Sequence, residues 1–317
     1  MISFRYHIVS IVSVFLALAV GVALGGGPLK GTVDNTLVRQ VHHDRTVKKQ
    51  LQRQINELQG GHAFTDSFAA TVAPKLLAHT LSGHVVDMVV LPTASQSDVT
   101  SLDQMVSTAG GTVGGTLQVG TGMVDVANKQ LVGELGSQLE DGASGVSIPS
   151  SASAYERMGS LIARAIGTDH AGGAAVDSTA QGILAGLSTA NLMSAEGDLH
   201  RRGDLILFVA GPGSNDKQQQ RGRATIVTTL AQAVDADTAG VVVAGPVAAA
   251  RGDGAVKAVR QSVAAARVVS TVDSLHRTAG QVVTIMALAE QAEGKTGHYG
   301  AVDAADGAMP GAATGGE

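Results

Sequence analysis

Residues Ile8 to Leu24 form an unbroken run without a charged side chain, and its only hydroxyls are Ser10 and Ser13. Coiled as an α-helix at ~1.5 Å per residue, the run would be ~26 Å long. That is close to a hydrocarbon core of ~30 Å, and Tyr6, His7 and Gly25–Gly27 can supply the remainder. A helix packed on a soluble core would carry a polar stripe, and this one has none. The rest of the chain is therefore expected to be tethered to a membrane or exported past one. A retained signal-anchor is one reading. A cleaved signal peptide is another, with Ala23-Leu24-Gly25 as the small-residue cleavage site. A buried core helix is the third. Arg5 lies before the run and Lys30 and Arg39 after it, so the balance of basic residues does not orient the segment.

Behind Gly25-Gly26-Gly27-Pro28 the pattern changes. From about Thr32 to Gln59, Leu37, Val41, Leu51, Ile55 and Leu58 fall on a seven-residue repeat of apolar positions, interrupted where Asp44 and Lys48 take the seam. This predicts a short coiled-coil stalk (residues 30–60) that pairs with itself, giving a homodimer, or with coiled-coil envelope proteins. A single amphipathic helix lying on the following domain is the alternative. Gly60-Gly61 is expected to end the helix.

Residues 61–299 read as an α/β domain. A helix is predicted from Phe64 to Leu81, kinked or broken at Pro74. Apolar runs at Val85–Leu91, Thr112–Val119, Asp204–Val209, Gly240–Ala244 and Arg267–Val272 read as buried strands. Between and after them, helices are expected at Asp98–Ala109 (capped by Ser95 or Ser97), Val126–Leu139, Ala152–Ile166, Ser178–Thr189, Gly222–Val234, Ala255–Ala266 and His276–Glu293. Continuous apolar strands alternating with helices predict a largely parallel sheet covered on both faces. The tail, residues 300–317, is rich in Ala, Gly and Asp and is expected to be disordered.

The chemistry is sparse. With no Cys, disulfides, thiolate metal sites and a thiol nucleophile are excluded. A net charge of −5, spread along the chain, gives no reason to expect nucleic acid. There is no G-x-S-x-G elbow, no H-E-x-x-H and no paired acid and base, so no enzyme is predicted. The strand–Ala-Gly-Pro unit at Leu207–Gly213 and again at Val242–Val247 marks the ends of strands, where open α/β sheets bind ligands. It lacks the spaced glycines or the lysine of a nucleotide loop, and a tight exit from the strand explains it equally. An enzyme would need Asn215 or Asp216 to converge on Gly211–Gly213 and Gly245. His42-His43, His79, His84 and His298 are possible imidazole ligands. His42 and His43 diverge around a helix, and the Met residues form no Met-x-Met cluster, so no copper site is assembled by sequence alone.

Two stretches carry a family likeness. The opening MISFRYHIVSIVSVFLALAVGVALGGGPL, with Arg5 and His7 before the apolar run, resembles the start of the mycobacterial copper transport protein B (MctB) family of actinobacteria. The closing block STVDSLHRTAGQVVTIMALAEQAEGKTGHYG, with Gly297, His298, Tyr299 and Gly300, resembles that family's end. The resemblance implies a short cytoplasmic N-terminus, one span of the inner membrane and an extracytoplasmic body in the cell envelope. It implies a role in copper efflux and homeostasis, with copper as a transported ion rather than a resident cofactor, and for some members an outer-membrane pore. The related corynebacterial SteB proteins imply an alternative, a non-catalytic dimeric scaffold that pairs with a SteA-type membrane protein and regulates septal peptidoglycan hydrolases. A membrane barrel needs many alternating strands of ~10 residues, a pattern that these continuous apolar strands do not follow.

Overall fold

A computed structural model describes residues 4–26, 30–197, 199–213 and 216–311, with the backbone alone at residues 26 and 30–38. Contacts divide the chain into two units, residues 1–64 and 65–317. The first holds helix α1 (Phe4–Gly26) and most of helix α2 (Lys30–Leu77). Within α1, Phe4–Gly25 has a mean hydropathy of 2.6 and no buried residue, and it is long and apolar enough to cross a membrane. Helix α2 does not stop at Gly60-Gly61, as expected, but continues to Leu77 with Pro74 inside it. Each glycine costs only ~1 kcal/mol in a helix interior, less than the flanking turns supply. Pro74 falls in the last turn, where the chain is about to leave the helix. Of the predicted seam, Val41, Leu51, Ile55 and Leu58 are 45–64 % exposed, and Leu37 lies where only the backbone is described.

The second unit is built on a seven-stranded sheet, β1 (Val85–Val90), β2 (Thr112–Val119), β3 (Met193–Ala195), β4 (Leu205–Val209), β5 (Gly240–Ala244), β6 (Ser270–Val272) and β7 (His298–Tyr299), in the order β3-β2-β1-β4-β5-β6-β7. All neighbours are parallel except β2 and β3. Side chains alternate across it. Val86, Met88, Val90, Leu205, Leu207 and Val209 face one way, onto the end of α2 (Ala73, Leu77), α3 (Gln96–Thr108) and α9 (Thr278–Ala292). Val89, Ile206, Phe208, Val241 and Val243 face the other way, onto α4 (Lys129–Gly142), α5 (Ala154–Ile166), α6 (Ser178–Thr189), α7 (Lys217–Asp235) and α8 (Ala255–Gln261). Burial on both faces is why these strands read as continuous apolar runs.

Several boundaries differ from the sequence expectation. Ser95 accepts the Asp98 N–H and caps α3, while Ser97 lies inside its first turn and bonds the Ser95 hydroxyl. Helix α4 begins only at Lys129, after a 3-10 turn over Val126–Asn128. Helix α8 stops at Gln261, and the chain reaches β6 through another 3-10 turn at Ala265–Arg267. Strands β3 and β7 were not expected. Nor is the segment after Gly300 without structure: residues 301–311 fold onto the domain and Pro310 is buried. Residues 312–317 of the predicted tail lie outside the described residues.

Candidate functional site

The sheet reverses its winding between β1 and β4, because β2 lies on one side of β1 and every later parallel strand on the other. This is the position at which open α/β sheets leave a crevice at the carboxyl ends of their strands. The Ala-Gly-Pro loop after β4 sits there, and the second such loop follows β5 next to it. The crevice is largely filled by its own walls. A β-carbon on Gly211 would lie 2.1 Å from the Thr93 carbonyl oxygen, so only glycine lets the two loops meet. Thr93 donates its hydroxyl to the Pro212 carbonyl at 3.0 Å and holds φ at 75°, a strained value for a branched residue. What is left is a cavity of about 50 Å³ lined by residues that include Leu91, Thr93, Gly213, Gln220 and Arg223. Beyond Pro212 and Gly213 it opens into a groove of about 990 Å³ between the two loops, bordered by Lys217, Arg221, Arg251 and Asp253. Asp216 does not converge on the crevice as a catalytic group; its carboxylate caps α7, accepting the N–H groups of Gln218 and Gln219. Asn215 lies outside the described residues.

The second cluster gathers the closing block. Arg260 of α8 is buried against Asp273, which follows β6; their side chains are 8 % and 0 % exposed. The guanidinium donates to Asp273 at 3.0 Å, to the Thr271 hydroxyl at 2.8 Å, to the Tyr299 carbonyl at 2.7 Å and to the Val302 carbonyl. Asp273 also accepts from the Ser274 hydroxyl and from the N–H groups of Ala301 and Val302. A β-carbon on Gly300, whose φ is 136°, would lie 2.3 Å from the Asp273 carboxyl carbon. One on Gly297 would lie 2.1 Å from the Tyr299 hydroxyl oxygen. That hydroxyl donates to Glu290, and burial, reinforced by this carboxylate, raises its pKa. Both nitrogens of the His298 ring are occupied: one faces the Ala266 carbonyl at 3.1 Å, the other the Thr271 hydroxyl at 3.0 Å. Because the carbonyl can only accept, Nε2 holds the proton and Nδ1 accepts from Thr271. Burial pulls this imidazole below its ordinary pKa, with the Ala266 hydrogen bond pulling the other way. Gly297, His298, Tyr299 and Gly300 therefore serve to clamp the end of the chain to the sheet edge, and no ring nitrogen of His298 is left for a metal.

A third cluster lies at the opposite, amino-terminal edge of the sheet. His84 meets Asp204 at 2.5 Å, and Asp204 also accepts the Val85 N–H at 2.7 Å. Beside it Asp87 is wholly buried in β1 at a bulge, where Gly114 is the extra residue. One of its oxygens accepts the Gly203 N–H at 2.8 Å and the other has no hydrogen-bond partner among the described residues. Burial drives the Asp87 pKa well up; the Gly203 and Gly115 N–H groups oppose this and Asp204 adds to it. His79 is separate, in a left-handed turn (φ 66°). His42 and His43 are exposed on α2. Among the described residues, no three His, Asp or Glu side chains come together as a metal site. Arg260, Asp273 and Asp87 were not singled out in the sequence. Asp87 alone left a signal there, an acid in the middle of VVDMVV.

Arg5 and His7 fall in α1, so the two ends of the family likeness occupy the apolar helix and the clamp. Residues 1–310 match the model of a family described as "Copper transport outer membrane protein, MctB". The protein named "Copper transporter MctB" of Mycobacterium tuberculosis (strain ATCC 25618 / H37Rv) is 27 % identical over 305 residues, covering 95 % of this chain and 96 % of that relative. Its namesake in Mycobacterium leprae (strain TN) is 28 % identical over 315 residues, with the same coverage. Neither name bears on septal hydrolases, so pairing with a SteA-type protein gains no support from them. A match running from the apolar helix through the clamp leaves no part of the described architecture outside it, and the chain belongs to the MctB family of copper transport proteins.

Proposed function

We propose that this chain is a non-catalytic envelope protein that lowers the copper content of the cell, held at the inner membrane by Phe4–Gly25 with its α/β domain outside the cytoplasm. The match along nearly the whole length to proteins named copper transporters is the observation that supports this reading. The described strands form an open sheet with β3 and β7 at its edges, so copper would pass by a route that this sheet does not enclose. Deleting the gene in the native host and measuring cell-associated copper by mass spectrometry tests the reading. Copper should rise in the deletion strain and return to normal with the full chain. Unchanged copper would refute it. Fractionation with protease access from outside distinguishes the inner-membrane placement from an outer-membrane one.

The functional unit is proposed to be a homodimer joined along α2. Val41, Leu51, Ile55 and Leu58 favour this, since they keep heptad spacing and stay exposed in one copy. Sedimentation of the full chain in mild detergent should give the mass of two copies, and a monomer at micromolar concentration would refute the pairing.

A further inference from the structure

We propose that two copies of this chain pair along α2 in opposite directions, in a single register centred on Thr46. The inference rests on the proposed homodimer and adds its direction and register. On the seven-residue repeat, Val41, Lys48 and Ile55 take the a position and Asp44, Leu51 and Leu58 the d position. In a parallel pair like positions meet, so Asp44 would face Asp44 and Lys48 would face Lys48 in the middle of the seam. Reversing one helix sets every a position against a d position. About an axis at Thr46, Val41 meets the partner's Leu51 and Asp44 meets the partner's Lys48, and two-fold symmetry makes each contact twice. Ile55 falls opposite position 37, a leucine in the sequence. Sliding one helix by a heptad sets Asp44 and Lys48 against Ile55 and Leu51 in one direction, and against Val41 and position 37 in the other. A lone charge on an apolar seam is costly, so only the register at Thr46 satisfies the run.

The structure leaves these groups available. Val41, Leu51 and Ile55 are exposed in one copy. Asp44 and Lys48 are exposed and form no ion pair among the described residues, although their spacing of four would allow one along the helix. Val47, also exposed, lies beside the axis and meets its own counterpart. Arg45 borders the other side, where its long side chain reaches water. The amino-terminal ends of α2, at Lys30, then lie ~48 Å apart along the pair at ~1.5 Å per residue. Two spans in one membrane therefore hold the stalk along its surface rather than upright.

The test is disulfide mapping of the full chain in mild detergent. The chain has no Cys, so Val41→Cys combined with Leu51→Cys supplies the only thiols. Mild oxidation should give a covalent dimer. Trypsin separates the two thiols by cutting after Arg45 and Lys48, and mass spectrometry reads which peptides are joined. The peptide holding position 41 should be joined to the one holding position 51. Each single variant should stay uncrosslinked, because its two thiols sit ~15 Å apart in this register, beyond disulfide reach. Linkages of 41 to 41 and 51 to 51 overturn the proposal and leave the homodimer standing as a parallel pair. A two-copy mass without any cross-link places the interface elsewhere and overturns the proposal. A monomeric mass for the parent chain overturns the homodimer as well. By sedimentation, Lys48→Asp should raise the Kd of the pair by about tenfold, since two opposite-charge contacts become repulsive. Adding Asp44→Lys to the same chain should restore it, and Lys49→Asp, beside the seam, should leave it unchanged. A Lys48→Asp pair as tight as the parent overturns the charge pairing and the register with it.

Discussion

Replacing Arg260 by Met keeps most of the aliphatic volume of α8 and removes the guanidinium. The structure sets the size of the loss. Asp273 is wholly buried and would be left with only the Ser274 hydroxyl and the Ala301 and Val302 N–H groups to hold it. Removing one partner of a buried ion pair costs ~3–5 kcal/mol, because the other charge stays desolvated and unpaired. The Tyr299 and Val302 carbonyls would lose their donors as well. Against a total domain stability of ~5–15 kcal/mol, this is a large share. Urea unfolding of the full chain in detergent, followed by circular dichroism, should show the midpoint fall for Arg260→Met. Amide exchange should accelerate first at Ala301 and Val302. Arg260→Met combined with Asp273→Asn should be less destabilised than the two single losses added together, since the second change removes the stranded charge. A loss for Arg260→Met below ~1 kcal/mol, the scale of a solvent-screened pair, would refute the reasoning.

Gly297→Ala puts a β-carbon against the Tyr299 ring and should destabilise by ~1–3 kcal/mol as overpacking does; an unchanged urea midpoint would mean that the clamp yields freely. Asp87 has its folded pKa raised by burial, so its contribution to stability is fully present below the unfolded value of ~3.9 and is lost as pH rises through the folded value. Asp87→Asn should remove that loss. The stability difference between variant and parent should move in the variant's favour by up to ~1.4 kcal/mol per pH unit within that window, and a flat difference across pH would sink the idea. Leu51→Asp places a carboxylate on the α2 seam and should abolish pairing, at a cost of several kcal/mol, ~2 or more; an unaltered sedimentation mass would show that the seam lies elsewhere. Copper(I) should bind weakly, for want of thiolates and clustered thioethers. Copper(II) held by exposed imidazoles should leave below about pH 5.5, as imidazole with a reference pKa of ~6.5 protonates. Competition with a chelator reads both, and a tight copper(I) site would contradict this.

The layering of the domain was legible because strands buried on both faces leave apolar runs of five or more residues, as at Leu205–Val209 and Gly240–Ala244. Strands β3 and β7 span three residues and two, too short for any periodicity to mark them. The clamp was invisible for a different reason. Arg260, Asp273 and Val302 meet only after β6 and β7 pair, and nothing local to any of them announces the other two. Composition misled on the segment after Gly300: Ala, Gly and Asp there supply little apolar area, yet the order comes from backbone groups bonded to Asp273, Arg260 and the His298 carbonyl, and from the Asp306 carboxylate, which accepts the His298 N–H. Gly60-Gly61 misled in the opposite direction, since a helix propensity penalty is a bias on an ending and not an ending itself.

The seating of β7 has a consequence for when the protein can become stable. The last strand lies beside β6, and its pairing is completed by contacts from Arg260 and Asp273 to Ala301 and Val302. Those two residues are synthesised after the apolar helix and after every strand of the sheet. At ~5–20 residues per second a nascent chain spends many seconds with its leading end already made. Throughout that interval the β6 edge is open and Asp273 has no Ala301 or Val302 to hold. An open strand edge is a template for pairing with another chain. Lesions that stop the chain before His298 should therefore be as damaging as much larger deletions, and the chain has reason to depend on a holding factor until β7 and Val302 have emerged.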